Sequence, residues 1–491
     1  MRFLDLGIVL LYLAGITWFG VRFRSRQRSL RDYFLGGRTA PWWALALSIV
    51  SAETSTLTII GTPALSFGGN LGFLQLVLGY LLARLVISFL FLPQYFRGEL
   101  FTAYELMRRR FGERIRKLTA LTFLVTRALA EGVRVFAISI VISIVLGSGE
   151  IASIVLIVCL TLVYTFEGGM TAVIWTDVVQ MCLYVLGALL SFFVILHKVP
   201  GGWEHVWTAA QAAGKWQVFD FRFAPTLEFF SRTYTFWAGL AGGCFLTMAS
   251  HGTDQLMVQR LLSARSQAES RAALLASWVV IFFQFSLFLT IGIMLFVYYA
   301  GTGQAAPRPA DRIYPEFVWR SLPPGAAGIV IAAILAAAMA NISAALNSLA
   351  STTVMDFLKA RRGAARSDAH YLRIARLATV LWGLVLLGIG ILARRWGSVL
   401  EAGLAIASIP FGALLGVFLL GVLTRRASEN AAIAGMLAGL ATVVYVRFFS
   451  PIAWTWYVLI GAGVTFGGAL LASLFLAPQR QTREAGIADG R

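Results

Sequence analysis

Charge is scarce in this chain: Asp, Glu, Lys and Arg make up 13% of its 491 residues, against 58% hydrophobic ones. That little charge cannot dress the surface of a soluble globular domain, so the soluble class is excluded and apolar membrane-crossing segments dominate. Cysteine is equally sparse. Cys159, Cys182 and Cys244 are scattered through apolar segments without close spacing, which gives neither a disulfide framework nor a zinc site. Of the four histidines, His197 and His205 fall near one membrane face, His370 in a basic loop and His251 alone in a span, so no ligand cluster forms. Glu167-Gly-Gly lacks the Gly-Lys-Ser/Thr end of a phosphate loop. No nucleophile, base and orienting group are suitably spaced. An enzyme is excluded and no resident cofactor is implied. The first apolar segment lacks a basic leader and a small-residue cleavage site, and reads as a retained span.

Long apolar runs are what the chain does have. Thirteen spans are predicted near residues 3–23, 41–67, 71–96, 118–146, 151–166, 172–197, 235–258, 272–299, 326–356, 374–393, 397–423, 429–449 and 454–477, an all-α membrane protein. Nothing outside them is long enough for a second soluble domain. The longest connection, 198–234, carries Pro200-Gly201-Gly202, Trp203, Trp207 and Trp216, which suits an interfacial, partly helical lid.

The net charge of +18 points to nucleic acid only until its distribution is read. With thirteen spans, the basic loops 22–38, 97–117, 259–271, 357–376 and 425–426 and the C-terminal tail all fall on one side, and far fewer basic residues on the other. Basic loops stay cytoplasmic, so the expected placement is an inner (plasma) membrane, N-terminus outside and C-terminus inside. The excess charge serves orientation and contact with anionic lipid, and nucleic-acid binding is excluded. The expected partners are a small solute and the bilayer; the sequence names no partner protein and no oligomeric state.

Two spans look interrupted. The span 41–67 opens with Trp42-Trp43, then reads Ser48-Ile49-Val50-Ser51-Ala52-Glu53-Thr54-Ser55-Thr56 before Gly61 and Pro63. A carboxylate and a run of hydroxyls at membrane depth cost several kcal/mol unless they face a cavity, an ion or a partner. Gly61 and Pro63 are expected to loosen the helix there and free backbone carbonyls. The span 235–258 carries Gly239, Gly242-Gly243, Thr247, Ser250, His251, Thr253 and Asp254. Five spans begin with each interrupted one, and five is odd, so the second set runs through the membrane in the opposite sense. The resulting organisation is a peripheral first helix and basic loop (1–40), a five-helix repeat with its external loop (41–234), a second, inverted five-helix repeat (235–428), and two peripheral helices with a tail (429–491). Paired interruptions at matching places in two halves point to a central transport site.

Local motifs carry a resemblance. They are Asp32-Tyr33-Phe34-Leu35-Gly36-Gly37-Arg38, then Ser51-Ala52-Glu53-Thr54 with Gly61-Thr62-Pro63, then Thr102-Ala103-Tyr104-Glu105-Leu106 with Arg110-Phe111-Gly112. The most specific runs from Tyr164-Thr165-Phe166-Glu167-Gly168-Gly169 through Trp175-Thr176-Asp177 to Gln180; Asp254-Gln255 with Gln259-Arg260, and Leu346-Asn347-Ser348 with Asp356, follow. In this order they resemble the sodium:solute symporter family, whose members share a LeuT-like 5+5 inverted repeat with discontinuous helices 2 and 7. The resemblance also implies about thirteen transmembrane helices and an external N-terminus.

It further implies a sodium site between spans 2 and 9: backbone carbonyls at Leu47, Val50 and Ala337, plus two adjacent hydroxyls. The chain departs at those hydroxyls, which here are Ala340 and Asn341. Asn341 still offers an amide oxygen, Ala340 only backbone, so a working cation site and a degenerate or proton-coupled one both stand. In some members an Asp and a span-9 Ser form a second cation site; Asp177 and Ser343 match it, and the next serine position is Ala344. The competing reading is an Asp that caps a helix or pairs with a loop Arg.

Span 4 carries Arg127, Glu131 and Arg134, steps of four and seven that place all three on one helix face. Three charges on one face cannot meet lipid. They form a self-neutralising ladder of net charge +1, or one Arg, Arg134 before Arg127, forks a substrate carboxylate. The matching span lines the substrate cavity in the family. Further substrate contacts are expected from Ser51, Glu53, Thr54 and Thr58 on span 2 and Thr247, Ser250 and His251 on span 7. Phe73, Gln75, Gln284 and Phe411 are placed to complete the cavity and its aromatic gates. The polar set of sugar carriers is not reproduced, since Thr54 stands where they have Gln and their Glu falls near Phe73.

Energetics constrain the coupling. One charge entering at 100 mV releases about 2.3 kcal/mol, and a tenfold ion gradient adds about 1.4 kcal/mol. A monovalent carboxylate cancels the charge of one sodium, so its concentrative uptake needs a second cation. The expectation is a secondary active transporter that takes up an organic carboxylate or amino-acid-like solute with sodium by alternating access. The alternatives are a sugar, polyol or proton-coupled carrier, and a sensor that keeps the transporter fold without transport.

Overall fold

The computed structural model describes residues 3–23, 29–98, 100–146, 149–224, 226–308, 310–359, 368–393 and 399–476. The basic stretches 24–28 and 360–367, Arg394 and Arg395, and the tail 477–491 lie outside the described residues. Among the described residues the only β element is a bridge between Ala40 and Ala264; the rest of the regular structure is helix. The principal helices are α1 (Phe3–Val21), α2 (Trp42–Glu53), α3 (Thr56–Gly68), α4 (Leu74–Tyr95), α5 (Glu113–Leu146), α6 (Glu150–Lys198), α7 (238–252), α8 (Gln255–Leu262), α9 (Gln267–Thr302), α10 (Ala326–Lys359), α11 (Asp368–Ala393), α12 (Val399–Leu423), α13 (Glu429–Phe449) and α14 (Trp454–Phe475).

Among the described residues, eight helices are long and apolar enough to cross a membrane, or nine when α2 and α3 count as one bent span. Thirteen are expected from the sequence. The other segments are a charged helix (α5), the short apolar stretches Ile151–Val163 and Ala407–Leu423, and the broken pair α7–α8.

Both expected interruptions exist, but not where glycine and proline pointed. Helices α2 and α3 meet at 65°, and the break falls at Thr54 and Ser55, ahead of Gly61 and Pro63, which lie within α3. Thr54 is extended (φ −82°, ψ 102°). Ser55 restarts the helix as its N-cap, its hydroxyl accepting from the Thr58 N–H while the Thr58 hydroxyl accepts from the Ser55 N–H. The hydroxyl run thus supplies its own cap, and a proline inside a packed membrane helix is tolerated. In the second case Gly239, Gly242 and Gly243 serve close packing. A Cβ on Gly79 of α4 would sit 2.5 Å from the Gly239 carbonyl, and one on Gly239 would sit 2.7 Å from Gln75. The break itself falls at Thr253 and Asp254, whose carboxylate caps α8 by accepting from the Leu256 N–H at 2.9 Å. A third break splits α6 at Gly169, whose φ of 54° favours glycine.

Helix α10 is the centre of the bundle. Its sequence is rich in alanine, 94% of its membrane window is buried, and it packs against α1, α2, α5, α6 and α11. Loops expected on one side gather at one end. Arg265 donates to the Thr39 carbonyl, Gln259 to the Phe34 carbonyl and Arg38 to the Leu100 carbonyl. At the same end Arg116 of α5 donates to Asp356 of α10 at 2.7 Å, and Thr102 donates to the same carboxylate oxygen at 2.9 Å. The opposite end carries a helical, aromatic lid. It includes Gly202–Ala212 and Leu227–Ser231 and is pinned by Lys215 to the Phe67 carbonyl (2.6 Å) and by the Asp220 N–H to Gln75 (3.0 Å).

Candidate functional site

The two breaks face a shared cavity of about 220 Å³. From the α2–α3 break it is lined by Glu53, Ser55 and Thr58, and from the α7–α8 break by Thr247, Ser250, His251 and Asp254. Helix α5 brings Arg127 and Arg134; Phe73, Tyr234, Phe285, Phe411 and Trp454 supply aromatic wall. Phe73 packs on Phe285 with ring centroids 4.9 Å apart and on Tyr234 at 6.0 Å, so these rings form one cluster. Ending a helix in mid-bundle turns its unsatisfied backbone groups and polar side chains into the interior. That is how a chain this apolar can bring seven ionisable or hydroxyl side chains from the two breaks alone to one hole.

The α5 charges are not alone. Arg127 contacts Glu131 at 3.0 Å and also Asp254 at the α7–α8 break; Arg134 contacts Glu131 too. Asp254 supplies the negative charge that removes the expected net +1 from the ladder. It also separates the two arginines. Arg127, 9% exposed, is locked between two carboxylates, whereas Arg134 is 25% exposed and lines the cavity. A guanidinium has five N–H donors in a planar fork, so Arg134 keeps donors for a second carboxylate.

Across the cavity, Glu53 receives Arg84 of α4 at 2.6 Å and His251 at 3.3 Å. Arg84 is fully buried and also donates to Ser277, and the His251 Nδ1 lies 2.9 Å from the Ser250 hydroxyl. His251 is therefore part of an ion-paired cluster, though among the described residues no group of three or more His, Cys, Asp or Glu side chains could hold a metal. Sequence reasoning passed over Arg84 and Asp254. The signal was present: a lone Arg in an apolar span, and an Asp next to the second interruption, each require a partner.

Ser51 and Thr54 do not line this cavity. Thr54 turns to the other side of the α2 break, where its hydroxyl accepts from Gln284 of α9 at 2.7 Å and its carbonyl accepts from Asn341 of α10 at 2.8 Å; Ser51 is fully buried. Gln75 ties the lid to α4 and does not line the cavity either.

Around the expected cation site, α2 and α10 are in contact. Val50 is fully buried, with its carbonyl accepting from the Thr54 N–H, and Leu47 is half-buried. The Asn341 amide nitrogen donates to the Ala337 carbonyl at 2.9 Å, the Ser343 hydroxyl donates to the Ala340 carbonyl at 3.0 Å, and the buried Asn341 Oδ1 has no hydrogen-bond partner. The donor set is all oxygen, as a hard cation requires, and the unpartnered amide oxygen fits one. Asp177 is fully buried. One of its oxygens takes Arg260 at 2.8 Å and Ser48 at 2.5 Å; the other has no hydrogen-bond partner.

Comparison with known proteins places this geometry. Residues 33–439 match the family model described as the sodium:solute symporter family. The chain is similar to the sodium/sialic acid symporter SiaT of Proteus mirabilis, 29% identical over 98% of this chain and 96% of that protein. It is also similar to the human sodium/iodide cotransporter, 29% identical over 89% of this chain and 68% of that one. Among solved structures, the substrate-bound, outward-open state of a Na+-coupled sialic acid symporter superposes with a TM-score of 0.87 at 26% identity, covering 97% of this chain and 98% of that one. A nucleobase-cation-symport-1 family transporter, at 11% identity and a TM-score of 0.56 over 90% of this chain and 93% of that one, shares the fold.

Proposed function

The chain belongs to the sodium:solute symporter family, and on that footing we propose that it carries a small acidic solute, an acidic sugar or a related organic carboxylate, into the cell with sodium by alternating access. The family consists of transporters, so the protein is a multi-pass membrane carrier and not an enzyme. Its organisation is read as thirteen spans in two inverted five-helix repeats flanked by peripheral helices, with the N-terminus outside and the C-terminus cytoplasmic.

The observation that carries the reading is Arg134: a guanidinium on the wall of a cavity bounded by both broken helices, held by one carboxylate and open to another. The rest of the cavity suits a solute with hydroxyls and an apolar face, since it offers Thr58, Thr247 and Ser250 beside Phe73 and Phe411. A carboxylate and a sugar were alternatives on the sequence alone. An acidic sugar such as the sialic acid named for the relatives joins them. Sodium has oxygen ligands to hand at Val50, Ala337, Ala340 and Asn341, where it would supply the electrochemical drive.

The test is uptake of radiolabelled sialic acid by proteoliposomes with an inward sodium gradient, with choline in place of sodium, and with lactate and glucose as competitors. Accumulation in sodium, abolished in choline and competed by lactate but not glucose, supports the reading. Binding without accumulation in any gradient would turn the assignment to a sensor.

A further inference from the structure

The charged side chains around the cavity close on one another. Arg84, Arg127 and Arg134 are matched by Glu53, Glu131 and Asp254, and every guanidinium contacts at least one of these carboxylates. The cluster is neutral when His251 is uncharged. A carboxylate solute therefore brings an unmatched negative charge into a low-dielectric pocket, where it is expensive. His251 is the titratable group placed to answer it. It is 2% exposed, lines the cavity and bridges the two broken helices through Glu53.

The surroundings of His251 are defined on every side. Helix α2 presents Glu53. Helix α4 presents Arg84, with Nη2 3.5 Å from the imidazole Nε2, and Tyr80 on the cavity wall. Its own break presents Asp254, already paired with Arg127. Helices α12 and α14, which also pack on α7, bring Ser408, Phe411 and Trp454 to the cavity and, among the described residues, no charged side chain. The nearest charge on α8, Arg260, is taken up by Asp177. Nε2 faces the Glu53 carboxylate at 3.3 Å and Arg84 Nη2 at 3.5 Å, and Nδ1 faces the Ser250 hydroxyl at 2.9 Å. An imidazolium would find an oxygen on each side of the ring.

We propose that His251 is a proton-binding site that loads with the solute, so that the carrier moves one proton with each carboxylate it takes up. This rests on the acidic-solute reading given above. The proton enters from water on the side the solute enters, binds the unprotonated nitrogen of the neutral ring, and leaves with the solute on the other side. In the imidazolium, Nε2–H faces Glu53 and Nδ1–H faces the Ser250 hydroxyl, which accepts. Only that one N–H bond forms and breaks. The added positive charge compensates the solute carboxylate, so that a sodium entering with them remains electrogenic. Concentrative anion uptake then needs no second metal-ion site.

With only four histidines in the chain, the site can be read directly. The full-length protein, labelled with 13C,15N-histidine and purified in detergent, is titrated by NMR at saturating sodium with and without sialic acid, using H251Q to assign the signal. Expected is a neutral ring without solute and an imidazolium with it. In parallel, sialic acid affinity, followed by intrinsic tryptophan fluorescence, should tighten by about tenfold for each unit fall in pH where one proton is taken up on binding, and this slope should vanish in H251Q. If that variant does not fold, the wild-type signal and slope still decide. Binding with an unchanged His251 signal, or a pH slope that survives in H251Q, overturns the proton site and leaves the acidic-solute reading standing. No binding of sialic acid or lactate at all overturns both.

Discussion

The amide nitrogen of Asn341 lies 2.8 Å from the carbonyl of Thr54, so a side chain of the central helix α10 closes over the break in α2. The same nitrogen holds the Ala337 carbonyl at 2.9 Å. An N–H donor is thus aimed at backbone oxygens of the kind a cation would otherwise attract, while the amide oxygen beside it has no hydrogen-bond partner. For a cation to use these oxygens the amide must rotate or withdraw, which sets a cost on binding.

That cost is measurable. Asn341→Ser removes the N–H donors and restores a hydroxyl. The sodium concentration for half-maximal uptake should fall by about fivefold, the equivalent of one hydrogen bond of about 1 kcal/mol. Asn341→Ala leaves the buried Thr54 carbonyl without this partner and should lower detergent-solubilised stability by about 1–3 kcal/mol. An unchanged sodium dependence in Asn341→Ser would show that this amide does not bear on the cation.

The two α5 arginines should separate cleanly. Arg134→Ala loses a charge-assisted contact to a solute carboxylate, worth about 1.5–3 kcal/mol, so sialic acid affinity should drop by about ten- to a hundredfold with little change in unfolding temperature. Arg127→Ala strands Asp254 in the interior, leaves Glu131 with Arg134 alone, and should destabilise the protein by about 3–5 kcal/mol. Paired measurements of binding by tryptophan fluorescence and of unfolding by differential scanning fluorimetry distinguish them. The reverse pattern would transfer the anion-binding role to Arg127.

How much of this was legible follows from the range of each interaction. The polar run in 41–67 announced its break because a hydroxyl run cannot sit in lipid, and the capping pair Ser55 and Thr58 is only three residues apart. Gly61, Pro63 and Gly242-Gly243 misplaced the breaks because such residues serve helix packing as readily as interruption. Glu53 as the partner of Arg84 and Asp254 as the second partner of Arg127 could not be read: they lie 31 and 127 positions away. Composition says that a buried charge needs a partner and leaves open which one. Facing was equally hidden, so Thr54 was grouped with Glu53 although the break turns it toward Gln284 and Asn341.

The Asp177–Arg260 pair joins α6 to α8 and, through Ser48, to α2. Both side chains are at most 1% exposed, so removing either leaves the other charge buried. Asp177→Asn should cost about 3–5 kcal/mol. Asp177→Asn with Arg260→Gln should recover part of that loss, with a coupling of about 0.5–3 kcal/mol. The check is a double-variant cycle on thermal unfolding. Additive losses would mean that the pair is not coupled, and Asp177 would then be free to serve a cation.

Close approach of α4 and α7 depends on having no side chain at Gly79. A Cβ there would fall 2.5 Å from the Gly239 carbonyl and 2.7 Å from that of Leu240, both backbone atoms that cannot step aside. Gly79→Ala must therefore push the helices apart, at about 1–3 kcal/mol. Gly463→Ala, whose new methyl would meet nothing within 4 Å, is the control and should stay within about 0.5 kcal/mol of the parent. The displacement has a functional side, because α7 carries Ser250 and His251 while α4 carries Arg84. Separating them lengthens the contacts that Glu53 makes with both Arg84 and His251. Sialic acid affinity should fall in Gly79→Ala along with stability, measured on the same purified sample. If affinity held while stability dropped, the glycine contact would position the helices only, and the solute would be held from α3 and α5 instead.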